Sequence, residues 1–251
     1  MFNAKKEKIK IIKFIRDYFN NNNLGGIVIG ISGGKDSAVV AGLFAEAIGS
    51  DNIIGVTLPC NSNENDRKDA LRISNYYGFE MINVDLTETY KSLKKQINNL
   101  GNYTENELKD SDINIKPRLR MTSLYYIAAL YSKLKNKTYI VAGTGNKCEE
   151  FVGYFTKGGD SVSDIKTISD LTVDEVIQIG EELNVPKEVL YKAPNDGLSG
   201  TTDEEKLGVK YSDITKYMNN EELDEEVKEK IKRLHESTRH KFIIPTYKKN
   251  Q

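Results

Sequence analysis

Ser32-Gly-Gly-Lys-Asp-Ser37 packs two glycines, two hydroxyls, a lysine and a carboxylate into six consecutive residues. Glycines let backbone N–H groups converge on an anion, and a helix N-terminus behind them adds partial positive charge. Ser32 and Ser37 supply hydroxyl donors. With Gly30, Ile31, Gly33, Gly34 and Lys35 they form a candidate bed for the phosphates of ATP. Asp36 cannot hold phosphate directly, but it can hold Mg²⁺ that bridges to phosphate oxygens. Such a bed suits the pyrophosphate that leaves when ATP is cut between its α- and β-phosphates.

Two commoner phosphate loops are excluded by spacing. A Walker loop ending at Gly34–Lys35 needs a glycine where Ile29 stands and a hydroxyl where Asp36 stands. A dinucleotide fingerprint fails because Gly30, Gly33 and Gly34 are wrongly spaced. A plain glycine turn with a capping acid would account for a lone glycine pair. It does not account for six matching residues between a strand and a helix.

The elements around the loop can be read from apolar periodicity. Residues 4–19 form an amphipathic helix with Ile9, Ile12, Phe14, Ile15, Tyr18 and Phe19 near helical spacing. Residues 27–32, 52–59, 80–86 and 138–144 are short apolar runs that read as strands, the first two buried on both faces. Helices are expected at 36–48, 64–77, 87–99, 117–135, 173–183 and 221–238, and residues 101–115 read as polar and irregular. Strands alternating with helices predict an α/β fold, a Rossmann-like parallel sheet flanked by helices. In such sheets ligands sit at the carboxyl ends of strands. The glycines of 30–34 and 143–145 both fall there, so both segments point to one site. With no internal repeat and no second hydrophobic unit, the 251 residues read as a single domain.

Composition narrows the function class. Formal net charge is −1 and the isoelectric point about 6.2, which disfavours a nucleic-acid partner held by charge. No apolar run is long enough to span a bilayer, and the charged N-terminus does not read as a signal peptide. Cys60 and Cys148 are far apart and match no metal spacing, as expected of reduced thiols in a cytoplasmic chain.

The loop resembles that of the ATP pyrophosphatase superfamily, of the adenine nucleotide alpha-hydrolase-like fold, whose members adenylate a substrate oxygen. The motifs "NIKPRLRM" (114–121), "GTGNKCE" (143–149), "GYFTK" (153–157), "TDEEKLG" (202–208) and "HK" (240–241) follow in one order. Together they resemble the ammonia-dependent NAD synthetase family over about residues 5–245. The resemblance implies Mg²⁺ on Asp36 and Glu149, the pair expected to carry catalysis. It implies ATP contacts from Thr144 and Asn195 besides the loop, and deamido-NAD contacts from Arg118, Lys157, Asp164, His240 and Lys241. Arg120 lies off the helix face of Arg118, Glu150 reads as a solvated first-turn acid, and His235 as a surface residue. Val173 stands where the family often has a lysine, and Asn195 where a threonine is common. Lys35 is a candidate for the missing positive charge.

The reaction so implied has two steps. The nicotinate carboxylate of deamido-NAD attacks the α-phosphorus of ATP, and ammonia then displaces AMP from the acyl-adenylate. The small-molecule partners are ATP, deamido-NAD and ammonia, with a homodimer as the implied assembly. Only about 25 residues precede the loop, so ammonia rather than glutamine is the expected nitrogen source. A tRNA-modifying ligase would call for a basic surface, and a deazaguanine-type synthase for a zinc cysteine cluster. A non-catalytic nucleotide sensor would not need both metal acids.

Overall fold

In the computed structural model, residues 2–60, 64–192 and 202–249 are described, with the side chains of 64–66 and 109–110 also outside the described set. In chain order the first half runs α1 (Ala4–Asn21), β1 (Leu24–Gly30), α2 (Lys35–Ile48), β2 (Ile53–Thr57), α3 (Glu64–Tyr77), β3 (Glu80–Asn83), α4 (Thr87–Asn98), α5 (Glu105–Ser111), α6 (Ile115–Lys135) and β4 (Thr138–Gly143). Then follow α7 (Lys147–Val152), β5 (Ile165–Lys166), α8 (Val173–Glu182), α9 (Lys187–Leu190), α10 (Asp203–Leu207), α11 (Tyr211–Met218) and α12 (Glu225–Thr238).

The five strands form one parallel sheet in the order β3-β2-β1-β4-β5. The α/β expectation therefore holds. β1 is central, with Ile27 opposite Ile53 of β2 and Ile140 of β4. Strand order reverses between β1 and β4, and a crevice opens at the carboxyl ends of strands where it does so. Both glycine segments lie at that switch point.

One sheet face is covered by α1, α2, α8 and α9 around Ile15, Phe44, Ile168 and Leu190. The other is covered by α6, with Leu86 and Tyr90. A third cluster joins α7, α11 and α12 through Val152, Ile214 and Ile231. It anchors the C-terminal helices beside the carboxyl end of β4.

Several expectations are corrected. In α1 the buried face is Ile11, Ile12, Ile15 and Phe19, while Ile9 and Phe14 are exposed. Packing against both α2 and α8 selects that face. Residues 101–115 are not irregular: α5 forms behind Thr104, whose backbone and side chain pair with Glu107. The capping-box spacing Thr-x-x-Glu was the available signal. The long helix opens at Ile115, with Pro117 inside its first turn, where a missing N–H costs nothing. β5, α9 and α11 are additions. β5 is two residues long, too short for any periodicity. Thr172 is the N-cap of α8, in a capping box with Glu175.

Candidate active site

The phosphate loop bridges β1 and α2. Gly33 has φ +81, a left-handed turn conformation that favours glycine. Gly34 is the N-cap of α2, and its N–H faces the Ser32 hydroxyl at 3.3 Å. Ser37 donates its hydroxyl to the Gly34 carbonyl at 3.0 Å and lies 3.3 Å from the Ser32 hydroxyl. The two serines thus brace the turn from inside. Lys35 is only 5% exposed and pairs with Asp36 at 3.3 Å. That places its ammonium inside the loop, beside the Asp36 carboxylate, rather than on the surface.

The second strand end brings the other acid. Gly143 closes β4, and a Cβ there would lie 2.4 Å from the Ser163 hydroxyl, so the loop can pass only as glycine. Thr144 follows and lines the cavity beside the loop. Asn146, fully buried, then caps α7 by accepting from the N–H groups of Cys148 and Glu149 at 3.0 and 3.1 Å. Its own N–H donates to Glu149 Oε2 at 3.0 Å, and its amide donates to Asp36 Oδ1 at 3.3 Å. One asparagine therefore holds carboxylates from two different strand ends.

Holding two acids together has an electrostatic cost. The Glu149 carboxyl is pushed up to about 8, first by burial and then by the charge of Asp36, against the pull of the Asn146 N–H and Lys35. The unfolded chain ionises this group near its ordinary value, so between about 4.5 and about 8 the folded state holds the extra proton. Stability of the ligand-free protein is therefore expected to fall as pH rises through that window and to level off above it. Thermal melts from pH 5 to 9 check this, and an unaltered slope in Glu149→Gln would contradict it.

A cavity of about 270 Å³ opens beside Ile31 and Ser32 at the ends of β1, β2 and β4. Leu58, Met121 and Leu124 give it apolar walls, and Arg120 and Asp160 polar edges. Arg120 is held by the Leu58 carbonyl at 3.2 Å. It lines the cavity, while Arg118 donates to the Lys157 carbonyl. Asp160 accepts the Thr156 N–H at 2.7 Å.

The residues expected to meet deamido-NAD divide into two groups. Arg118 donates to the Lys157 carbonyl at 3.2–3.3 Å. Lys157 donates to the carbonyls of His240 and Ile243 at 2.9 and 3.3 Å. Lys241 donates to the carbonyls of Gly153 and Phe155 at 2.7 and 2.9 Å. His240 Nδ1 lies 3.0 Å from the Ser237 carbonyl. These four residues are thus gathered on one rim, with the lysines bound to backbone carbonyls. Asp164 is not among them: it accepts the Tyr125 hydroxyl at 3.1 Å and the Val141 N–H at 2.7 Å. Asn195 lies outside the described residues.

Two background readings are corrected. Glu150 is not simply solvated, because Lys166 pairs with it across the β4–β5 edge. His235 is not a bare surface residue. Its ring stacks on Phe151 at 4.2 Å, and Nδ1 meets the Phe151 carbonyl at 2.7 Å, tying α12 to α7. Val173 packs partly buried against the third cluster, which explains an apolar residue there. Asn146, Tyr154 and Asp203 were the polar residues that sequence reading missed. Only Asn146 had a local signal, the Asn-x-x-Glu spacing of a capping box.

The family model described as NAD synthase matches residues 8–251. The NH(3)-dependent NAD(+) synthetase of Carboxydothermus hydrogenoformans is 40% identical over 245 residues, covering 97% of both chains. The chain belongs to the NAD synthase family. Solved structures agree with this placement. An NMN synthetase from Francisella tularensis superposes with TM-score 0.88 at 31% identity, covering 99% of this chain and 100% of its own. The NH3-dependent NAD synthetase from Campylobacter jejuni superposes with TM-score 0.75 at 28% identity, covering 99% and 100%. In this NAD synthase chain the Ser32–Ser37 loop and the Asp36–Asn146–Glu149 bridge lie at the carboxyl ends of β1 and β4. Among the described residues, no helix of this NAD synthase chain is long and apolar enough to cross a membrane.

Proposed function

We propose that the chain amidates deamido-NAD with ammonia, cleaving ATP to AMP and pyrophosphate, as a C–N bond-forming ligase. The observation that carries this reading is the Asp36–Asn146–Glu149 bridge beside a phosphate loop of the adenylating type. The backbone N–H groups of residues 33–37, with Ser32, Ser37 and Lys35, hold the β- and γ-phosphates as the leaving group. Asp36 and Glu149 fit Mg²⁺: both present hard carboxylate oxygens, and their mutual repulsion is what a divalent ion relieves. Bound there, the ion would neutralise charge that builds on the phosphates. Leu58, Met121 and Arg120 offer the cavity in which a nucleoside sits. Arg118, Lys157 and Lys241 supply positive charge for the anionic deamido-NAD, exchanging backbone carbonyls for its phosphates. His240 lies on the same rim. Asp164 would act on substrate through its pinned carboxylate. No protein nucleophile is needed, so positioning carries the rate.

A second reading is supported by the likeness to the NMN synthetase, under which the acceptor is the mononucleotide form of the nicotinate substrate. Incubation with Mg–ATP and ammonium plus either acceptor separates the two. The expected result is NAD formed at a higher kcat/KM than NMN. The reverse preference would install the second reading, and AMP formed without either acceptor would sink both.

The homodimer is proposed on the outer face of α6, where Tyr126 is 73% and Leu134 67% exposed. α1 instead packs Ile11, Ile12, Ile15 and Phe19 into the core, leaving of its large apolar residues only Ile9 and Phe14 exposed. Sedimentation at assay concentration should read twice the 28.3 kDa chain mass, and a single-chain mass would refute the proposal.

A further inference from the structure

Two buried side chains, Asp203 and Tyr211, and the half-buried Tyr154 have no part in the roles above. Asp203 is 7% exposed and accepts the Tyr154 hydroxyl at 3.1 Å. Tyr211 is 3% exposed, and its hydroxyl has no hydrogen-bond partner among the described residues. That hydroxyl lies in the field of Glu149, Asp203, Asp36 and Tyr154. The Tyr211 N–H donates to Glu204 Oε1 at 2.9 Å, which fixes where α11 starts relative to α10. A buried phenol without a partner among the described residues is costly, and a polar ligand beside it would relieve that cost.

Charge and geometry say what kind of ligand. Asp36, Glu149 and Asp203 are three carboxylates interacting with one cation, Lys35. Mg–ATP accounts for Asp36 and Glu149, and Lys35 meets the phosphates. The charge of Asp203 remains. Among the described residues, no three acidic, histidine or cysteine side chains come together as a metal set. What suits Asp203 is a small monovalent cation that donates hydrogen bonds to a carboxylate and to phenol oxygens. Ammonium is such an ion, with four N–H donors and one positive charge.

We propose that Asp203, Tyr154 and Tyr211 form the subsite that binds the ammonium ion supplying the amide nitrogen. The inference rests on the proposed amidation. It adds where the third substrate waits: next to Asp36 and Glu149. The short helix α10 and the start of α11 would then serve the second half-reaction only, while the phosphate loop serves the first.

The two half-reactions separate the test. Deamido-NAD-dependent exchange of pyrophosphate into ATP, run without ammonium, reports adenylation alone. The KM for ammonium at saturating Mg–ATP and deamido-NAD reports the subsite. Tyr211→Phe removes an oxygen that no described protein group uses, so a purely structural role predicts no kinetic effect. The expected result is an ammonium KM raised about tenfold in Tyr211→Phe and about a hundredfold in Asp203→Asn, as for lost hydrogen bonds to a charged group. Exchange should stay within about twofold of wild type in both. An unchanged ammonium KM in Tyr211→Phe would overturn the proposal, as would loss of exchange in step with it. Should Asp203→Asn fail to fold, Tyr211→Phe alone decides. Wild-type protein with no deamido-NAD-dependent exchange would overturn the amidation reading itself.

Discussion

Asp36→Asn is expected to lower kcat for AMP formation by about 10³-fold or more while the protein still folds. Asparagine keeps the shape and can still accept the Asn146 amide through Oδ1, so the bridge between the two strand ends survives. What is lost is the charge that offsets a divalent cation. The cost in stability should be small for two opposing reasons. An acid in the first turn of α2 is worth about 0.3–1 kcal/mol with the helix dipole. Against that, Asp36 repels Glu149, and the substitution removes this repulsion. Steady-state turnover and a thermal melt on the same sample decide the matter. A variant that keeps a tenth of wild-type turnover would show that the reaction does not use this carboxylate.

Asn146→Ala should damage both stability and turnover, although Asn146 touches no substrate in the proposed mechanism. Alanine removes the cap of α7, at a cost of about 0.5–2 kcal/mol, which for a chain of this size is a few degrees of Tm. It also removes the amide that steadies Asp36, while the backbone N–H that holds the Glu149 carboxylate remains. Displacing reacting groups by about 1 Å can cost about 10²-fold in rate, and a loss of that order is expected here. Asn146→Ser separates the two effects. Serine is a good cap but too short to reach Asp36, so it should restore the melting temperature without restoring kcat. Recovery of both would assign Asn146 a purely structural role.

The phosphate loop was legible because its members are consecutive. Six residues from Ser32 to Ser37 carry the donors, the metal acid and the glycine that the turn needs, so spacing along the chain is spacing in space. The strands were legible for a similar reason, since β1 and β2 are buried on both faces and read as unbroken apolar runs. The ordered motifs after residue 114 then pointed to one family, and the comparisons place the chain in it.

Convergence between distant segments was not legible. Asn146 meets Asp36 across 110 residues, and Tyr154 meets Asp203 across 49. Nothing local marks either pair, because the contact is created where β1 and β4 lie side by side and where α10 folds back beside α7. Helix faces show the same limit. In α1 and α6 apolar residues occur around much of the circumference, and the neighbours actually present decide which are core: α2 and α8 bury Ile15 and Phe19, while Tyr126 and Leu134 stay in solvent. The sequence by itself determined the parallel α/β frame and the placement of the Ser32–Ser37 loop between β1 and α2, since both are written in short-range spacing and burial period. Only the tertiary structure decided which acids share a site, which cations form the rim and which buried hydroxyl is left without a partner. Those are properties of where the chain crosses itself, and hydrogen bonds form across space irrespective of position along the chain.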